Sequence, residues 1–172
     1  MAQIIFVSHA EGPIRNAVLW QVYRQLSPQA ANPHSIWLRN GVHPANTPQP
    51  IVFSPQNHPV TFKALLSIQG RQVGMLCCTP QLTTLLNGIN MLAGEGAEII
   101  VCSINSVNEL SEQFLRGGLQ RIGHEYMDTF NLRGRIPDNV HIDSNALRDG
   151  ILFNDVAQDI VVRIIQLINQ NH

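Results

Sequence analysis

Three side chains capable of acid–base or hydrogen-bonding chemistry follow the first apolar run of the chain: those of Ser8, His9 and Glu11. A histidine changes its charge near neutral pH, which makes His9 the candidate general acid or base. Glu11 can orient the imidazole or share the proton transfer, and Ser8 can hold a ligand. These residue types at this spacing predict that the segment belongs to a catalytic or binding site.

The elements around this segment predict where it lies. An apolar strand, Gln3–Val7, precedes it, and a helix, Pro13–Leu26, follows it with proline at the first helical position. In α/β proteins the turn after a buried strand lies at the carboxyl edge of the sheet, where ligands bind. Glu11 also suits a helix start for electrostatic reasons alone, so two interpretations of it stay open.

Polar residues also accompany the ends of three other predicted strands. These strands are Gln72–Cys78, Glu98–Ile104 and Asn139–Asp143. The candidate ligand contacts at or beside their carboxyl ends are Cys78, Thr79, Asn105 and His141. Because parallel strands end at one edge of a sheet, we expect these side chains to meet Ser8.

Asp143 is the second candidate, beside Glu11, for the carboxylate that assists His9. Simpler structural interpretations accompany some of these residues. Thr79 is also explained as a helix cap, and Cys78 as a small buried apolar residue. The predicted site therefore depends on the fold that brings the strand ends together.

Strand-like and helix-like segments alternate along the chain, which predicts a single α/β domain over residues 1–172. We expect three layers: a mainly parallel sheet of about five strands flanked by helices, flavodoxin-like or Rossmann-like. Most of the ten prolines lie in an excursion at about residues 27–59. A lid, an interface arm and a surface loop are the open interpretations of this excursion.

Three segments in and after the excursion carry short strand or helix patterns. Ser35–Leu38 and Ile51–Phe53 are strand candidates. Val60–Gln69 fits either a strand or a helix, and we favour the helix because consecutive parallel strands need a crossover.

Two further helices are predicted in the second half of the chain. Ser106 opens one of them through a capping box with Glu109, and this helix extends towards Tyr126. Asp155 caps the last one, whose apolar residues recur at helical spacing. They are Val156, Ile160, Ile164 and Ile168.

Composition excludes several classes of partner. Charged residues make up 13% of the chain, against roughly 25% in an average soluble domain. With a net charge of −1, neither nucleic acid nor a membrane is an expected partner. Low surface charge and the proline-rich excursion favour a homo-oligomer. Three cysteines, no secretory signal and no long apolar stretch predict a protein of the reducing cytoplasm.

Common catalytic and cofactor motifs are absent from the sequence. There is no Walker loop, no Gly-x-Gly-x-x-Gly after the first strand and no Gly-x-Ser-x-Gly. No compact metal-ligand spacing occurs, so no metal and no cofactor is assigned. Anion binding stays open, because helix N-termini at one sheet edge offer free backbone N–H groups and Arg15 adds a charge.

Two short stretches resemble known families. Phe6–Ala10 is similar to the opening strand of TIR-type domains, and Ser103–Leu110 resembles the stretch that carries their NAD-cleaving glutamate. That resemblance implies such a role for Glu109, which the capping box also explains. Cys77-Cys78-Thr79 after a strand is similar to one cysteine lobe of the aspartate/glutamate racemases.

Together these features predict an enzyme, a hydrolase or transferase, that acts on a small polar metabolite of anionic or nucleotide-like character. His9 is the general acid or base, and Ser8, Thr79 and Asn105 hold the ligand. The alternative is a non-catalytic ligand-binding or homo-oligomeric assembly module. A TIR-like domain that cleaves NAD is a further alternative.

Overall fold

The computed structural model describes residues 1–10, 12–31, 35–38, 41–44, 62–77, 82–105, 109–136 and 146–170. In chain order the strands and helices are β1 (Gln3–Ser8), α1 (Gly12–Leu26), β2 (Ser35–Leu38), β3 (Gly41–Pro44), β4 (Phe62–Ile68), β5 (Arg71–Cys77), α2 (Leu82–Gly94), β6 (Ile99–Ile104), α3 (Glu109–Arg121), β7 (Glu125–Asn131) and α4 (Ala146–Gln170).

The strands form one mixed sheet in the order β3-β2-β4-β5-β6-β1-β7. Strands β5, β6, β1 and β7 run parallel to one another, and β4 pairs with β5 in the antiparallel direction. Strands β2 and β3 extend the sheet antiparallel beyond β4. The sheet is therefore mixed and has more strands than the five expected. The sequence predicts β1, β5 and β6 as members of the parallel sheet, whereas β4 and β7 lie at segments that it does not predict as strands.

Helices cover both faces of this sheet, which gives the three layers that the sequence predicts. On one face α1 and α4 pack on alternate residues of the strands, such as Ile5 and Val7 of β1. On the other face α2 and α3 pack on the intervening residues, Ile4 and Phe6. Because β1 is buried on both faces, its apolar run is nearly continuous, as parallel strands require.

The connections that follow β1 and β6 leave the same edge of the sheet but run to opposite faces. Helix α1 follows β1 and packs on one face, whereas α3 follows β6, packs on the other face and leads to β7. Since β1 lies between β6 and β7, α3 crosses over β1. The carboxyl ends of β1 and β6 thus lie where neighbouring connections diverge, a usual place for a ligand in α/β proteins.

The helix favoured over Val60–Gln69 is wrong, because Phe62–Ile68 within this segment form the strand β4. Its residues alternate between buried and half-buried, and it forms a hairpin with β5. The two turn residues, Gln69 and Gly70, both have positive φ, 51° and 81°. Such a turn matches the twist of antiparallel strands, so no crossover helix is needed.

The helix predicted to run towards Tyr126 is too long. Helix α3 ends at Arg121, and Gly123 with a φ of 77° turns the chain into the strand β7. All seven residues of β7 are at least partly exposed, because it is an edge strand. A strand without a buried face gives little apolar alternation, which is why its pattern escapes detection.

The last helix begins earlier than predicted. Helix α4 starts at Ala146, so Asp155 lies inside it and does not cap it. The predicted apolar edge of this helix, from Val156 to Ile168, is confirmed as buried against α1 and the sheet. The strand at Ser35–Leu38 is confirmed as β2, whereas the candidates Ile51–Phe53 and Asn139–Asp143 lie outside the described residues.

Candidate functional site

Buried polar side chains are concentrated in one part of the molecule. Of the described residues, four with polar or charged side chains are buried: Ser8, His9, Arg15 and Ser103. All of them lie at the carboxyl ends of β1 and β6 or in the first turn of α1. Burying a polar group costs free energy, so a cluster of buried polar side chains indicates a functional role for this part of the molecule.

Ser8 is the last residue of β1 and is fully buried. It pairs with Ile104 of β6, and the alternation of β1 places its side chain on the face of Ile4 and Phe6, which α2 and α3 cover. Its hydroxyl has no hydrogen-bond partner among the residues that the structure describes. A buried hydroxyl in this state is uncommon, because most such groups are paired.

His9 continues β1 into the turn and is also fully buried. Its amide donates to the Ile104 carbonyl oxygen at 3.3 Å, which extends the pairing with β6 by one residue. Its ring Nε2 donates to the Ile136 carbonyl oxygen at 2.9 Å. A carbonyl only accepts, so Nε2 carries the proton in this bond.

Ile136 belongs to a turn that follows β7. Asn131 begins this turn by accepting from the Arg133 amide at 3.1 Å, and a short 3-10 helix spans Leu132–Gly134. Leu132 and Ile136 are buried in the same core as α1 and α4. The His9 ring therefore joins the end of β1 to the turn that lies beside it.

Arg15 anchors the backbone of the turn between β1 and α1. Its Nη1 donates to the carbonyl oxygen of His9 at 2.8 Å and to that of Ala10 at 3.3 Å. The side chain is 5% exposed. Because Nη1 is committed to the backbone, Arg15 acts first as a positioning residue for His9, while its charge still contributes to the field at this edge.

Two further strand ends belong to the same edge. Ser103, on the face of α1 and α4, is buried and has a polar partner, and Asn105 follows β6 with an exposed side chain. At the end of β5 the Cys77 thiol donates to Asn16 Oδ1 of α1 at 2.9 Å. The sequence gives no signal for this last contact, because Asn16 lies inside a helix.

Ser8, His9 and Asn105 are the predicted site residues whose places are described. They lie on the neighbouring strand ends of β1 and β6. The other predicted residues lie outside the described part of the chain: Glu11, Cys78, Thr79, His141 and Asp143. The role that resemblance implies for Glu109 concerns a side chain that is likewise not described, although its backbone begins α3.

The described residues contain no group of three or more His, Cys, Asp or Glu side chains that is close enough to hold a metal ion. No helix in the described ranges has the length and apolar character needed to cross a bilayer. The chain matches no protein-family model, no curated protein and no solved structure, so its function has to be argued from the buried polar cluster itself.

Proposed function

We propose that this protein is an enzyme that acts on a small polar metabolite, anionic or nucleotide-like, by hydrolysis or group transfer. The observation that carries the proposal is the confinement of buried polar side chains to one sheet edge: Ser8, His9, Arg15 and Ser103. This edge is also the one at which α/β proteins bind ligands. A purely structural core has no need for such a concentration of polar groups.

His9 is the general acid or base in this proposal. The Ile136 carbonyl accepts from Nε2, and this bond orients the ring at the end of β1. Arg15 supports this geometry through the backbone oxygens of His9 and Ala10. A base held by a second group in this way is the usual arrangement in acid–base catalysis.

The residues on either side complete the proposed chemistry. Ser8 holds the substrate at the end of β1, Asn105 does so after β6, and Glu11 or Asp143 assists His9. The proposal includes a flavodoxin-like or Rossmann-like use of the sheet edge and a cytoplasmic location. The free thiols of Cys77 and Cys102 agree with a reducing compartment.

A homo-oligomeric assembly module is the second candidate function. The exposed side chains of Met91 on α2 and Phe114 on α3 favour it, because large apolar groups at the surface are common in interfaces. Light scattering on the purified protein tests it, with an obligate oligomer expected and a monomer at all concentrations contradicting it.

The enzyme proposal is tested with His9→Gln and a matched control, His124→Gln. A glutamine amide can still donate to the Ile136 carbonyl, so the first variant keeps the structural hydrogen bond and loses the base. The two variants and the wild type are screened by thermal shift against nucleotides, sugar phosphates and carboxylates. Compounds that stabilise the wild type are then assayed for turnover.

We expect His9→Gln to fold and to lose roughly 100-fold or more of the turnover rate, which is the usual contribution of a general acid or base. His124→Gln is expected to keep wild-type turnover, because His124 lies at the opposite edge of the sheet. Undiminished turnover in His9→Gln contradicts the proposed role of His9. If no compound shifts the melting temperature or is converted, the enzyme proposal fails.

A further inference from the structure

The Ser8 hydroxyl is a buried polar group whose state the described part of the fold does not explain. Ser8 is 0% exposed, and its Oγ has no hydrogen-bond partner within the described ranges. Ser103, one strand away at a neighbouring register position, is equally buried but has a polar partner. Most buried hydroxyls in proteins are paired, so a partner for Ser8 Oγ is expected from beyond the described residues, and a bound ligand can supply it.

The Ser8 side chain lies on the face that α2 and α3 cover, and both helices direct their N-termini towards its edge. The C-terminal end of α3 lies at the amino edge, where the His124 amide donates to the Leu119 carbonyl, and α2 ends there through the bond from Ala97 to Leu92. Their first turns therefore lie towards the carboxyl edge, where Ser8 ends β1. Helix α1 also begins there, directly after β1.

Charges at these helix starts favour an anion. Neither α1 nor α2 has an acidic residue in its first turn, and α1 has Arg15 there. Helix α3 differs, since it begins with Glu109, and the nearby Glu112 carboxylate already accepts from Arg116 at 2.6 Å and Tyr126 at 3.2 Å. Helix α1 directly follows Glu11, so α2 is the one of these three helices that has no acidic residue at its start, and the backbone N–H groups of its first turn attract anionic oxygens.

We propose that Ser8 Oγ donates to a phosphate group of the ligand, in a subsite completed by backbone N–H groups at the start of α2. A phosphate offers several oxygens as acceptors, which suits donors from both a strand end and a helix start. The inference rests on the proposed function, because it names the chemical class of the substrate at that same edge. It makes a phosphate monoester or a nucleotide the expected substrate.

The test measures binding of inorganic phosphate to the wild type and to Ser8→Ala, with Ser103→Ala as the matched control. Titrations by calorimetry and thermal shift are made at constant ionic strength, with acetate and chloride as comparison anions. We expect saturable phosphate binding by the wild type, a dissociation constant about tenfold higher in Ser8→Ala, and an unchanged constant in Ser103→Ala. Tenfold corresponds to one hydrogen bond to a charged acceptor.

Ser8→Thr keeps the hydroxyl and is expected to retain phosphate binding within about threefold of the wild type, a change of well under one hydrogen bond. Circular dichroism verifies that each variant is folded, and if Ser8→Ala does not fold, Ser8→Cys replaces it. Equal affinity in wild type and the hydroxyl-free variant overturns the inference. So does equal stabilisation by acetate, which assigns the site to carboxylates, or the lack of saturable phosphate binding.

The outcome of this phosphate-binding experiment is independent of the outcome of the experiment on His9. If His9→Gln loses turnover while removal of the Ser8 hydroxyl leaves phosphate affinity unchanged, the enzyme stands and the phosphate subsite falls. If phosphate binding depends on Ser8 while His9→Gln keeps full turnover, the subsite stands and the assignment of the base falls.

Discussion

The two edges of the parallel sheet differ in how far their polar side chains are buried. At the amino edge Arg71 pairs with Glu98 at 2.9 Å, and both side chains keep contact with solvent. At the carboxyl edge Ser8, His9 and Arg15 are buried. The ion pair at the amino edge keeps part of its hydration in the folded state, whereas the polar groups at the carboxyl edge lose nearly all of theirs. The carboxyl edge, where burial of polar groups costs free energy, is therefore the expected place of a functional site.

The two histidines whose side chains are described, His9 and His124, show the same contrast. At the amino edge His124 Nδ1 accepts from the Ala2 amide at 3.2 Å, and Nε2 donates to Asn90 Oδ1 at 3.0 Å. Both ring nitrogens of His124 thus serve to hold the chain. His9 also uses Nε2 in a hydrogen bond, to the Ile136 carbonyl, but its side chain is fully buried, whereas that of His124 is half-buried.

The largest difference is expected between the two arginines, Arg15 and Arg71, each replaced by methionine. Arg15→Met leaves the His9 and Ala10 carbonyl oxygens without their donor in a buried place, so we expect the free energy of unfolding to fall by about 2–3 kcal/mol. Arg71→Met removes a partly solvated ion pair and is expected to cost less than about 1 kcal/mol. Denaturant unfolding of both variants measures the difference. Equal losses contradict the contrast between the edges.

A smaller effect is expected for the two buried serines of the carboxyl edge, Ser8 and Ser103. Replacing each by alanine should change the free energy of unfolding in opposite directions. Ser103→Ala removes a group with a polar partner and is expected to lower the free energy of unfolding by about 1 kcal/mol. Ser8→Ala removes an unpaired hydroxyl, so in the absence of ligand we expect no loss, or a gain of up to about 1 kcal/mol. Thermal melts without ligand provide the measurement. A clear destabilisation by Ser8→Ala indicates a structural hydroxyl instead.

The smallest expected effect is the pH dependence from His124. Burial lowers its pKa below the ordinary value of 6.5, so the folded state favours the neutral ring. As the pH falls below 6.5, the unfolded chain takes up the proton first, and the stability that neutral His124 contributes is lost towards the lower folded pKa. In His124→Gln the unfolding midpoint should change less between about pH 7.5 and pH 5. An unaltered pH profile contradicts this.

Local patterns predicted the elements that are buried and continuous. The apolar runs of β1, β5 and β6 and the helical stripes of α1 and α2 are visible in the sequence, because burial on fixed faces imposes a period. Strand β4 was mistaken for a helix because its partner is set by the turn at Gln69 and Gly70. Strand β7 was missed because an edge strand has no fully buried residues.

The sequence by itself determined the α/β class and the position of Ser8 and His9 at a strand end. It could do so because strand, turn and helix patterns are local properties of the chain. Only the tertiary structure decided that Ile136, 127 residues from His9, accepts from its ring, and that Ser8 is buried without a partner where the structure describes its surroundings. Both facts depend on backbone atoms and on neighbouring elements brought together by packing, and no spacing in the sequence encodes them.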